Sequence, residues 1–177
     1  MRRVAITGIG AVTPIGANKI EFFEGLKSGR NGVAPISVFD ASSFPVRFAG
    51  EVKRFGPADK PFIDFIKCHP ELSAIDDRKV VLGFKAALEA IEDSGLGGAI
   101  YNAGLDLGVS LEAVPLQLIA SIVAEKSAGV KIQVPLDCLN KLLIERFGFS
   151  GPSFTNCSAC AASTQSIGHA FQLIRSG

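Results

Sequence analysis

The residues able to do chemistry crowd the C-terminal end, in Ser153-Phe-Thr-Asn-Cys157-Ser-Ala-Cys160-Ala-Ala-Ser-Thr-Gln-Ser-Ile-Gly-His169-Ala-Phe-Gln-Leu-Ile-Arg-Ser-Gly177. A short β-type run leads into a tight turn, a cysteine and a helix of small residues, which is how a protein presents a nucleophilic thiol. A thiol attacks as its thiolate, so its pKa must be lowered. The first turn of a helix does this with free backbone N–H groups and the positive end of the helix dipole. Cys160 takes that place if Asn156–Ala159 is the turn. The same N–H groups suit the oxyanion formed when a thiolate attacks a thioester carbonyl. Ala161, Ala162, Ser163, Ser166, Gly168 and Ala170 are small, so the helix can be packed closely on all sides, as a central helix between layers is.

Other readings of the same residues stay open at this point. A free cysteine is often a small buried hydrophobe. Cys157-Ser-Ala-Cys160 is also a C-x-x-C between a strand and a helix, the local layout of a thioredoxin-like dithiol redox site. Such a domain needs about two more strands and a proline-bearing turn after the motif, and the chain ends at Gly177. Zinc needs four ligands, and no second cysteine pair or suitably spaced histidines complete the set, so no metal is expected. A nucleophile usually needs a base. His169 lies ~13 Å along a helix from Cys160 and roughly half a turn out of phase, pointing away. His69, ahead of Pro70, reads as a surface-loop residue. The thiol therefore has no evident acid–base partner in these residues.

The elements that must position Cys160 alternate between strand and helix. Val4–Thr7 reads as a buried strand, followed by the glycine-punctuated turn Gly8–Gly16. Asn18 caps a helix to about Ser28, with Ile20, Phe23 and Leu26 on one side. Residues 33–75, with five prolines, read as loops and short helices, with a short strand at Val46–Ala49. Asp76 and Asp77 start the clearest helix, ending near Ser94-Gly95, with a buried stripe of Val80, Phe84, Ala87, Leu88 and Ile91. Leu105–Ser110 reads as a strand and Pro115 to about Lys126 as a helix. Pro135 suits a first helical turn, and Leu136, Leu139, Leu143 and Phe147 form the next stripe. Ser153–Asn156 is a strand and Ala161–Arg175 the last helix. The pattern is that of an α/β layer fold.

Bulk properties bound the answer. A chain of 177 residues with 47% hydrophobic and 20% charged residues makes one domain with a real core. A net charge of +1 gives no electrostatic argument for nucleic acid or an anionic membrane. No stretch reaches the ~20 apolar residues of a membrane span. Arg2-Arg3 before an apolar run looks like the start of a signal peptide, but the run breaks at Gly8. Four cysteines form no disulfide framework, so a cytoplasmic protein is expected. The mean hydropathy of +0.33 suits a large interface or a deep core.

Taken together, the motifs resemble the N-terminal half of a β-ketoacyl-acyl-carrier-protein synthase, closest to the bacterial ketosynthase II type, over the whole of residues 1–177. Arg3-Val-Ala-Ile-Thr-Gly-Ile-Gly-Ala-Val-Thr-Pro-Ile-Gly16 is similar to that family's first strand and turn. Phe44–Val52, Asp77-Arg78 with Ala86–Leu96, and Gly151-Pro-Ser153 with Ser158-Ala-Cys-Ala161 and Ile167-Gly-His-Ala170 follow in the family's order. The resemblance also disposes of Gly8-Ile-Gly10 as a dinucleotide loop, since Thr13 and Pro14 stand where a third glycine and a helix start belong; no cofactor is expected.

The resemblance implies a thiolase-like layered fold of which this is the N-terminal half, a mixed sheet with helices and the nucleophile helix central. It implies an acyltransferase in which Cys160 accepts an acyl chain from an acyl carrier protein and its own N–H helps to hold the oxyanion. Malonyl-carrier protein is then decarboxylated and condensed, in fatty-acid or polyketide synthesis. The two histidines and the lysine that assist belong to the family's C-terminal half, so a second chain carrying that half is expected. Ser153–Asn156 matches the strand that pairs across the family's dimer axis, and Asn140 matches a structural asparagine. Two departures stand out: Gly108-Val-Ser-Leu-Glu-Ala113 replaces a glycine-rich turn near the acyl pocket, and Ala162-Ser163 stands where Ser-Gly is common. The competing expectations are a non-catalytic scaffold or dimerisation subunit, and a dithiol redox protein using Cys157 and Cys160.

Overall fold

The protein was analysed as a computed structural model that describes residues 3–75, 77–97, 102–110 and 135–177. Helix α1 (Lys19–Lys27) starts where the Asn18 side chain accepts from the Glu21 N–H. Strands β1 (Val33–Pro35) and β2 (Phe48–Gly50) pair antiparallel. They are followed by α2 (Lys60–Cys68) and a single 3-10 turn at Pro70–Leu72. Helix α3 (Arg78–Ser94) is capped by the Asp77 side chain and stopped by Gly95 in the left-handed region. Strand β3 (Leu105–Gly108), helix α4 (Cys138–Phe147), strand β4 (Ser153–Asn156) and helix α5 (Ala162–Ser176) complete the order. β3 and β4 are parallel, in a register running from Leu105 opposite Ser153 to Gly108 opposite Asn156.

The core forms where α3 meets α4 and β3. Phe84 is wholly buried, with Val80 and Val81 beside it, and Leu139 and Leu143 of α4 close the other side. Ala87, Leu88, Leu105, Leu107 and Phe147 pack against this cluster, so the α3 stripe forms largely as its spacing predicts. Burying a side chain such as Phe84 stabilises by about 3 kcal/mol. Helix α4 begins at Cys138, with Pro135 ahead of it accepting from the Cys138 N–H at 2.9 Å, and Leu136 lies outside the stripe, exposed.

Helix α1 keeps its expected side, and two other expectations change. The α1 residues Ile20, Phe23 and Leu26 do share a side, but it faces solvent, because α1 buries Gly25 instead. A strand at Val33–Pro35 appears within the stretch read as loops and short helices, and it pairs with β2. Val4–Thr7 forms no strand and pairs with none among the described residues, and Ile6 is 81% exposed. The cause is that side chains of α3 hold the segment that follows. The Ile9 N–H donates to Asp93 Oδ2 and the Ala11 N–H to Glu89 Oε2, both at 3.0 Å. Glycine makes this approach possible, since a Cβ on Gly10 would lie 1.8 Å from the Ala86 carbonyl oxygen. The expected helix at Pro115–Lys126 lies outside the described residues, as does Asp76.

The Asp93 carboxylate is held below its ordinary range by the hydrogen bond from the Lys19 ammonium and then by that from Ile9. Its folded pKa lies below its unfolded one. Its contribution is therefore complete above about pH 4 and is lost as pH falls through the depressed value. Asp93→Asn is expected to lower Tm at neutral pH and to flatten the acid limb of a Tm-against-pH profile. A limb parallel to that of the parent would rule this tether out.

Candidate active site

From β4 the chain passes through Cys157 and Ser158 into a 3-10 turn at Ala159–Ala161 and then into α5. Cys160 lies within that turn, just ahead of α5 rather than inside its first turn, and it is exposed. Ala159, immediately before it, has φ 51°. That left-handed geometry costs an L-residue about 1–2 kcal/mol, and such strain collects where a structure must aim a group. The surroundings hold the turn in place. The Ala161 N–H donates to the Ser158 carbonyl at 3.1 Å. Gln165, one turn into α5, accepts from Asn156 Nδ2 at 3.0 Å and from Ser158 Oγ at 2.5 Å. Among the described residues the Cys160 N–H finds no acceptor. An exposed sulfur thus shares a residue with a free N–H, the pairing that a tetrahedral oxyanion uses. Gln165 is a positioning contact that the sequence did not bring forward; its signal was a long amide side chain among small residues.

β3 sets the depth of this turn. A Cβ on Gly108 would lie 2.6 Å from the backbone of Ala162 and Ser163, so only glycine lets the strand end meet the start of α5. A cleft of about 280 Å3 opens on the α3 and α4 side of this strand end, lined by Asp77, Lys79, Val80, Leu107, Gly108 and Leu139 among others and by no residue of β4 or α5. Leu111 and Glu112, the departure from a glycine-rich turn, lie outside the described residues. From the opposite side Asn140, 3% exposed, donates from Nδ2 to Ser153 Oγ at 2.9 Å and to the Phe154 carbonyl at 2.8 Å, which fastens β4 to α4.

Neither histidine is brought to the thiol. His169 Nδ1 lies 2.5 Å from Asp106 Oδ2 on β3, and its ring stands edge-on to Phe154 at 4.7 Å. His69 is packed rather than in a surface loop: its side chain is 14% exposed, between Phe65 of α2 and Phe84 of α3. The flat ring packs on both phenylalanines, with Nδ1 3.5 Å from Glu71 Oε1. The four cysteines are free. Cys157 is half-buried at the end of β4. Burial pushes the Cys138 thiol up, with the charges of Asp137 and Asp77 adding to it, so Cys138 is the poorer nucleophile. Helix α5 has one covered side, where Ala162 and Ser166 are buried, while Ile167 and Ile174 on the other side are 68% and 57% exposed.

Comparison with known proteins places this geometry. The family described as "Beta-ketoacyl synthase, N-terminal domain" matches residues 1–177. The 3-oxoacyl-acyl-carrier-protein synthase 2 of Synechocystis is 34% identical, over 99% of this chain and 43% of the relative. The tetracenomycin polyketide synthase ketoacyl synthase alpha subunit of Streptomyces glaucescens is 29% identical, over 99% and 43%. A crystal structure of a β-ketoacyl synthase from Burkholderia phymatum matches with a TM-score of 0.71 and 27% identity, covering 100% of this chain and 44% of that one. The chain thus spans less than half the length of these relatives, and its described elements form part of the N-terminal half of a thiolase-like ketosynthase fold.

Two glycines give a matched test of how α5 is seated. Gly108→Ala is expected to destabilise by about 1–3 kcal/mol, because the strand end or α5 must move. Gly168→Ala, in open space at mid-helix, is expected to stabilise this chain by about 0.5–1 kcal/mol. Urea unfolding of both variants checks the pair, and a harmless Gly108→Ala would refute the close seating of β3 on α5.

Proposed function

Because this chain belongs to the β-ketoacyl synthase family, as its N-terminal domain, we propose that it supplies the acyl-accepting cysteine of a ketosynthase. Cys160 Sγ attacks the thioester carbonyl of an acyl-carrier-protein substrate, and the oxyanion forms against the Cys160 N–H. Collapse of that intermediate expels the carrier thiol and leaves the acyl chain on Cys160. Malonyl-carrier protein then loses carbon dioxide, and its carbanion attacks the acyl-cysteine and releases the thiol. The observation that carries this reading is the exposed Cys160, held in a turn with a left-handed Ala159 and with no acceptor for its N–H among the described residues.

The condensation step calls on acid–base groups that these residues do not bring to Cys160. We assign them to the C-terminal half of the fold, whose docking covers the exposed side of α5. Strand β4 is paired on one edge by β3, and among the described residues its other edge has no strand partner. It is the proposed dimer strand, through Ser153–Asn156. The protein is proposed to act in the cytoplasm, in keeping with its four free thiols. A non-catalytic scaffold role has one observation in its favour: the exposed apolar residues of α5 favour association without any use of the thiol.

Native mass spectrometry of the protein purified from its own source is expected to show an assembly that contains the C-terminal half of the fold. An assembly without that half would overturn the assignment. The complex, given acyl-carrier-protein thioester, is expected to gain one acyl group on the Cys160 peptide. Cys160→Ser should slow this by at least about a thousandfold. If Cys160→Ala preserves both assembly and pathway output, the scaffold reading replaces the catalytic one.

A further inference from the structure

Asp106 carries a buried carboxyl group that acyl transfer leaves unused. Its side chain is 6% exposed, in a strand whose neighbours Leu105 and Leu107 pack on the apolar core. One oxygen contacts His169 Nδ1 at 2.5 Å. The other, Oδ1, has no hydrogen-bond partner among the described residues. Burying a carboxylate in this way is a poor source of stability, since an apolar side chain of similar volume commonly serves as well or better. A directional contact does supply what an apolar one cannot, which is a fixed register.

The α5 seam needs one. Its covered side offers Ala162 and Ser166, and β3 meets it with Gly108. Small side chains let backbones approach but provide no knobs to stop a helix from sliding along the strand. Asp106 on β3, Phe154 opposite it on β4 and His169 on α5 meet at one point, and Asn140 ties the Phe154 carbonyl to α4. A slip of α5 by one residue would carry Cys160 about 1.5 Å along the axis. A misplacement of that size is enough to cost about a hundredfold in a reaction that depends on alignment.

We propose that Asp106 and His169 are positioning residues, a register lock that holds α5, and with it Cys160, in place for acyl transfer. The inference rests on the reading of Cys160 as the acyl acceptor. It predicts that the bond between the two side chains matters to rate more than to stability.

The test uses the purified protein with whatever chain accompanies it. Asp106→Leu keeps the volume and loses the bond, Asp106→Asn keeps an acceptor for His169, and His169→Phe keeps the ring against Phe154. Expected for Asp106→Leu is a Tm equal to or above the parent's. Its first-order rate of Cys160 acylation at saturating acyl-carrier protein should fall at least about tenfold, with the half-saturating concentration within about twofold. Asp106→Asn should recover most of the rate, and Asp106→Leu with His169→Phe should be no slower than either alone. A rate within twofold of the parent in Asp106→Leu, losses that simply multiply in the double variant, or an Asp106→Asn as slow as Asp106→Leu would each overturn the lock. Amide hydrogen exchange at Ala161 and Ala162 reads the same register without acylation. Exchange should quicken in Asp106→Leu and be restored in Asp106→Asn, and unchanged exchange would sink the proposal. A parent protein that fails to acylate while exchange responds as stated would count against the acyl-transfer reading and leave the lock standing.

Discussion

Everything around the thiol depends on how closely the end of β3 lies against the start of α5. With Gly108 in contact with Ala162 there is no room for even a methyl group between strand and helix. That closeness fixes where β4 must leave the sheet, how sharply the chain must turn and where Cys160 arrives. The left-handed Ala159 follows from it: a chain leaving a parallel strand and entering a helix seated against the neighbouring strand has few residues in which to reverse. The strain of about 1–2 kcal/mol is offset by Gln165, which binds both Asn156 and Ser158 across the turn.

The rest of the molecule keeps β3 where it is. Helix α3 is the hub. Its apolar side forms the core with α4 and β3, and its acidic side collects the N-terminal segment through Glu89 and Asp93. The two sides work by different physics. The first depends on area removed from water, which is non-directional. The second depends on charge-assisted hydrogen bonds to backbone N–H groups, which specify position residue by residue. The site inherits both characters, with a packed floor of Leu105 and Leu107 below the strand and named polar contacts at Asn140, Gln165 and Asp106 around it.

What could be read from the sequence divides along the same line. α3, α4 and α5 announce themselves through local spacing, caps and terminal glycines, and β3 and β4 through short apolar or β-branched runs beside turn residues. The place of Cys160 between a strand and a helix was legible because such a turn is written in consecutive residues. Val4–Thr7 misled because an extended apolar run says nothing of what will take its hydrogen bonds, and α3 took those of the residues that follow. Val33–Pro35 was missed because a three-residue strand exists only through its partner. His69 looked exposed because its shelter comes from Phe65 and Phe84 on two different helices. Asp106 carried a signal that only its partner explains: an acid between two leucines in a buried strand, answered by a histidine 63 positions away.

The parallel pairing of β3 with β4 bears on how the chain comes to be folded. Parallel neighbours cannot be joined by a hairpin, so the intervening crossover, α4 included, must be made and placed before Leu105 meets Ser153. Such non-local pairings carry their closure entropy up front and form slowly, whereas α3 and its nearby contacts form from local sequence. During biosynthesis the core around Phe84 can therefore consolidate while β4, the thiol turn and the apolar side of α5 are still unassembled. The exposed sulfur of Cys160 and the exposed apolar side of α5 belong to one late-forming unit, so both stay open to unintended contacts together until that unit is complete.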